Sequence, residues 1–146
     1  MLLGFKRRFA PFVLDGSKTH TIRATRKIAP KVGEMCHCYV DPRQKTMKLL
    51  GRWPCVKVEE IEIEILPPVF LALAGPVVRI NGDALSADEC EALAFRDGFR
   101  DYRFNSHFEE MLKFWKGRLP FKGQIIHWKW SKPSPQASNP RERSEP

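Results

Sequence analysis

The sequence predicts an α+β fold, a small mixed β-barrel with short helices, on three observations. Strand-length stretches with period-two patterning recur along the chain, most clearly in Glu60-Ile61-Glu62-Ile63-Glu64-Ile65, where glutamates and isoleucines alternate. Two Ser-x-x-Glu capping boxes, Ser86 to Glu89 and Ser106 to Glu109, open helical stretches late in the chain. These elements do not follow the regular β-α-β rhythm of a parallel sheet, which favours a barrel with helices added to it.

Leu2 to Phe5 reads as a short first strand. Phe9, Phe12 and Val13 then recur at helical spacing, with Pro11 tolerable in a first turn. Asp15-Gly16 closes that helix, because Gly accepts positive φ. Thr19 to Arg23 is β-prone; on a strand, Thr19, Thr21 and Arg23 face one way and His20 and Ile22 the other. Arg26 to Pro30 is a basic loop, and Val32-Gly33-Glu34 turns the chain into an alternating strand from Met35 to Val40. After a turn at Asp41-Pro42, Lys45–Leu50 and Trp53–Ile65 read as one long bent strand interrupted at Gly51 and Pro54. Its glutamates form a solvated face, or one opposed by basic neighbours, in preference to a metal site.

Leu66-Pro67-Pro68 breaks that strand, Val77 to Ile80 forms another, and Asn81-Gly82 is a hairpin turn. The first capped helix runs to about Phe95 with Gly98 as its C′ residue. Asp97 therefore sits where the helix dipole disfavours a carboxylate, a break of a local rule that marks a candidate functional acid. The second capped helix carries Phe108, Met111, Leu112 and Trp115 as a core-facing stripe. Gln124 to Trp130 is the closing strand, with Ile126, Trp128 and Trp130 on one face. From Ser131 onward Pro, Ser and mixed charge dominate, so residues 1–131 read as one domain and 132–146 as a disordered tail.

Charge narrows the class of partner. Of the net +8, residues 1–32 hold +7, from eight Lys and Arg against Asp15, a clustering suited to polyanions or to a solvated basic face. The four cysteines lack Cys-x-x-Cys spacing, and in Cys36-His37-Cys38 the thiols share a strand face that His37 does not. Buried thiols are expected there, with no metal and no cofactor; P-loop and dinucleotide fingerprints are also missing. No apolar run is long enough to span a bilayer and the N-terminus does not read as a targeting segment, so the cytoplasm is the expected location and no membrane partner is expected.

Taken alone, Lys18 to Arg23 reads as a basic surface strand, or as an amine, a hydroxyl and a guanidinium that receive an anion or a polar base. Gly16-x-Lys18-Thr19-x-Thr21-Ile22-Arg23, followed by Val32-Gly33-Glu34, resembles the signature of the ASCH domain family. Ala94-Phe95-Arg96-Asp97-Gly98-Phe99, Phe114-Trp115 and Phe121-x-Gly123-x-Ile125-Ile126-x-Trp128 extend the resemblance over roughly Leu2 to Trp130. It implies a PUA-like β-barrel whose short helices close a central cleft. It also implies a module that binds RNA, a nucleoside or a nucleotide base, with Lys18, Thr19, Arg23, Arg26 and Lys27 as contacts. Other members resemble amidohydrolases acting on 4-acetylcytidine, and some are linked to RNA cleavage. In the amidohydrolase-like members a Lys, a Thr and a Glu do the work. The first two match Lys18 and Thr21, and the third falls nearest Asp97, one methylene shorter. The implied hydrolysis is metal-independent: Thr21 attacks, Lys18 takes its proton, and Asp97 orients the amine or protonates the leaving group. The sequence leaves the oligomeric state open, with a monomer favoured.

Overall fold

The computed structural model describes residues 1–67 and 75–133, an α+β arrangement that is mostly sheet with short helices. In chain order the elements are β1 (Leu2–Phe5), α1 (Ala10–Asp15), β2 (His20–Ala24), β3 (Met35–Val40), β4 (Lys48–Leu66), β5 (Gly75–Ile80), β6 (Asp83–Ala84), α2 (Ala87–Arg96), α3 (His107–Trp115) and β7 (Phe121–Trp128). They fall into two compact units whose segments interleave along the chain. Unit 1 takes Met1–Thr19, Pro30–Lys57 and the chain from His127 onward; unit 2 takes His20–Ala29 and Val58–Ile126.

In unit 1, β1 runs parallel to β3, and β3 pairs antiparallel with the first half of β4, setting Cys36 opposite Trp53. The register slips between Cys38 and Tyr39, opposite Gly51 and Leu49. Gly51 has a local reason, since a β-carbon there would collide with the indole of Trp53. Trp53 stacks on Trp128 at 6.4 Å, and Phe5 meets Trp128 edge-on at 5.9 Å, so three aromatics tie β1, β4 and β7 into one core. Helix α1 has Pro in its first turn and ends at Gly16, where φ is 82° and the Trp130 ring lies close against the backbone. All four cysteines are buried and free, the expected thiol packing. Burial, reinforced by the neighbouring Cys55, pushes the Cys36 thiol up to about 12, which leaves it unreactive.

In unit 2, the second half of β4 pairs antiparallel with β5, Ile63 opposite Val78, and the Asn81-Gly82 turn leads into β6. The glutamate ladder is opposed by basic and amide groups: Glu64 pairs with Arg79, Glu62 lies 3.8 Å from Lys122, and Glu60 accepts from Gln124 at 3.1 Å. Ile61 and Ile63 are buried as the alternation requires, whereas Ile65 is exposed near the strand end. Helix α2 carries the full capping box, and Ser86 and Ser106 each accept from the N–H three residues on. Met111 and Trp115 of α3 are buried, and Phe108 and Leu112 half-buried.

Three expectations change. The predicted barrel does not close: the strand path β1-β3-β4-β5-β6 is open, with β7 joined to β4 and to β2. β6 is only two residues long and both are exposed, too short to carry the ladder further. β7 starts at Phe121 and does not alternate, because Gln124, Ile125 and Ile126 are all buried. A strand covered on both faces loses its period-two signature. β4 is continuous through Gly51 and Pro54. The stretch from Pro68 to Ala74 and most of the expected tail, residues 134–146, lie outside the described residues. No described helix is long and apolar enough to cross a membrane.

Candidate functional site

Lys18 follows the Gly16 turn, where the αL residue redirects the chain and the Lys18 N–H bonds back to the Phe12 carbonyl at 2.9 Å. That local fold buries the side chain: Lys18 is only 2% exposed, although lysine is among the residues most often left in water. Its Nζ lies 5.3 Å from the ring centre of Phe9 and 5.8 Å from that of Phe5, two faces that attract a cation. Thr19 is half-buried, and its carbonyl accepts from the N–H of Trp128 at 3.0 Å. Phe5 and Phe9 belong in any account of Lys18. The sequence marks them only as core residues.

The unit boundary falls between Thr19 and His20, inside the motif. In unit 2, His20, Thr21 and Ile22 of β2 are all buried, so the strand is covered on both faces there. Thr21 and Arg23 share a face as predicted: Nε of Arg23 donates to Oγ1 of Thr21 at 3.2 Å. A guanidinium on that oxygen occupies a lone pair, leaves the hydroxyl proton free to go elsewhere, and favours negative charge on the oxygen. Arg26 is half-buried and Lys27 exposed in the segment after β2.

Asp97 caps the C-terminus of α2, with its N–H bonded to the Leu93 and Phe95 carbonyls, and Gly98 beyond it adopts φ of 102°. It is buried, and its Oδ1 lies 3.3 Å from Nε2 of His20, itself 4% exposed. The contact sets a buried imidazole nitrogen beside a carboxylate that stands at the negative end of a helix. His20 is the functional candidate that sequence reasoning passed over. Alternation placed it opposite Thr21 and gave it no role, and only the fold brings α2 against β2. The available signal was the unexplained acid at Asp97, which implied a buried partner.

Among the described residues no cluster of three His, Cys, Asp or Glu side chains is arranged to hold a metal ion. The polar groups instead form local pairs within each unit: ammonium on aromatic rings, guanidinium on hydroxyl, imidazole on carboxylate. No family model, curated protein or solved structure matches the chain.

Proposed function

We propose that this chain is an ASCH-type, PUA-like module that binds RNA or a nucleotide base through the Lys18–Arg23 motif. The observation that carries the reading is the burial of Lys18 over Phe5 and Phe9. Keeping an ammonium in such surroundings costs desolvation, and an apolar side chain would fill the same space without that cost. A cation set among aromatic faces suits a ligand that brings both an acceptor and a ring, as a nucleotide does. The basic excess of residues 1–32 supplies long-range attraction for the polymer, with Arg26 and Lys27 as further phosphate contacts.

The Arg23–Thr21 contact favours a second reading, hydrolysis of a 4-acetylcytidine-type amide. The family resemblance assigns that chemistry to Thr21, whose Oγ1 would attack the amide carbonyl carbon, and to Lys18 as the base that would take the hydroxyl proton. The C–N bond then breaks, the protonated lysine returns the proton to the departing cytidine nitrogen, and water hydrolyses the threonyl ester to release the acid. Asp97, with Nε2 of His20 3.3 Å from its Oδ1, takes the place of the acidic partner in this reading.

One paired experiment separates the readings. Purified protein is incubated with 4-acetylcytidine and longer acyl analogues, with Thr21→Ala as control, and titrated with a labelled single-stranded RNA. The binding reading expects affinity without release of cytidine, and weaker affinity in Lys18→Ala. Cytidine release that disappears in Thr21→Ala would move the assignment to the hydrolase. Neither binding nor release would overturn both.

A further inference from the structure

Unit 1 contains the tryptophans Trp53, Trp128 and Trp130, and their indole N–H groups are treated unequally. Nε1 of Trp53 donates to the carbonyl of Ser131 at 2.8 Å, so the fold closes that donor itself. Nε1 of Trp128 and Nε1 of Trp130 are also buried, yet neither donates to any described group. A buried indole N–H ordinarily finds a partner, because one left without an acceptor has lost its water for nothing. Two such donors in one small core call for an acceptor from outside the chain.

Both donors belong to the surroundings of Lys18. Phe5 is a shared neighbour: Lys18 Nζ lies 5.8 Å from its ring centre, and Trp128 meets the same ring edge-on at 5.9 Å. Trp128 is 2% exposed and stacks on Trp53 at 6.4 Å. Trp130 packs against the turn two residues ahead of Lys18, where a β-carbon at Gly16 would come within 2.6 Å of the indole. Packing, not hydrogen bonding, therefore fixes both rings. The ammonium and the two indoles are all donors, and none of the three can accept a hydrogen bond.

We propose that Trp128 and Trp130 are base-recognition residues of the Lys18 site, each donating its indole N–H to a carbonyl oxygen of the bound base. The inference rests on the nucleotide-binding reading for the class of ligand and adds to it the edge that is read. Donor-only groups match an acceptor-rich edge and leave unpaired a base that presents an amino group to them. A neutral indole beside Phe5 and Trp53 suits a neutral carbonyl better than a phosphate, whose charge would have to shed its water among aromatic rings. Uracil carries two carbonyl oxygens, whereas adenine carries an exocyclic amine and none. The site is therefore expected to prefer uracil to adenine.

The test is fluorescence anisotropy of two fluorescein-labelled RNA 12-mers, one all uridine and one all adenosine, with the full chain and its variants. Their backbones are identical, so a difference in affinity reads the base. The unmodified chain is expected to bind the uridine 12-mer about tenfold more tightly. Trp130→Phe keeps an aromatic ring without the N–H, and is expected to lower uridine affinity about fivefold and leave adenosine affinity unchanged. Trp128→Phe is expected to do the same. Because it also opens space in the core, the indole N–H signals in a two-dimensional NMR spectrum of the unmodified chain give a readout free of substitution. Adding the uridine 12-mer is expected to shift the Trp128 and Trp130 signals and leave that of Trp53, already bonded to Ser131, in place. Equal affinity for the two RNAs would overturn the inference. So would uridine binding unchanged in Trp130→Phe with both indole signals unmoved, which would assign the donors to buried water. Lys18→Met, run in parallel, keeps the two ideas apart: loss of both RNAs there, with the tryptophan variants intact, sinks only the indole contacts. A uridine preference and indole shifts that survive Lys18→Met uphold the indole contacts and sink the role of Lys18. Binding of neither RNA by the unmodified chain overturns both.

Discussion

Lys18 and Asp97 are buried charged residues, one beside two aromatic rings and the other at the C-terminus of α2. The two make different predictions when changed. Lys18→Met keeps the length and packing of the side chain while removing the cation, so the chain is expected to fold and to lack only what the charge does. The same variant is expected to lose RNA binding. A melting temperature lowered by many degrees would assign Lys18 a structural role instead. Asp97→Ala, in contrast, leaves the buried His20 imidazole without its carboxylate, and a loss of roughly 1–3 kcal/mol is expected in denaturant unfolding. A stability unchanged by Asp97→Ala would mean that the His20 contact contributes nothing to the fold.

The capped helices show how an element is fastened at its ends. α3 begins not only on Ser106 but on Glu91 of α2, whose carboxylate takes the N–H groups of His107 and Phe108. Burial pushes Glu91 up, but those two backbone donors, with His107 and Ser106, outweigh it and hold the carboxyl below its ordinary value. A folded-state pKa below the unfolded one adds stability above the unfolded value, about 4.3, and that stability is lost as pH falls through the folded value. Thermal unfolding followed from pH 6 to pH 3 is therefore expected to show a smaller drop in melting temperature for Glu91→Gln than for the unmodified chain. Parallel curves would exclude the helix-start contact as a source of acid sensitivity.

For the molecule as a whole, the basic excess near the motif predicts strong salt dependence. RNA affinity is expected to fall linearly on a log–log plot against salt, with the slope reduced by about one for each of Arg26→Ala and Lys27→Ala. A flat salt response in the unmodified chain would rule out phosphate contacts as the source of affinity. The same scale shows where sequence reading reached its limit. Gly16, Asn81-Gly82 and the two serine caps were legible because each is a local device whose partners lie within a few residues. The Glu60–Glu64 face was legible because one side of that strand is polar. β2 and β7 were not fully legible: His20 to Ile22 and Gln124 to Ile126 are covered on both faces, and such strands show no alternation. His20 was missed for that reason, and barrel closure because strand pairing depends on residues far apart in the chain.

By itself the sequence determined the α+β class, the helix limits, the buried thiols and the identity of the unusual residues, Lys18, Thr21 and Asp97. The class, the helix limits, the thiols and the odd position of Asp97 follow from local propensity, capping chemistry and periodicity, which act over a turn or a strand; Lys18 and Thr21 were marked by the resemblance of their motif to a family signature. Only the tertiary structure decided what the residues meet: Phe5 and Phe9 around Lys18, Arg23 on Thr21, His20 on Asp97, and Tyr102 left in water. Burial and pairing are set by which distant segments pack together, a choice made by the hydrophobic core as a whole and written in no single stretch of the chain.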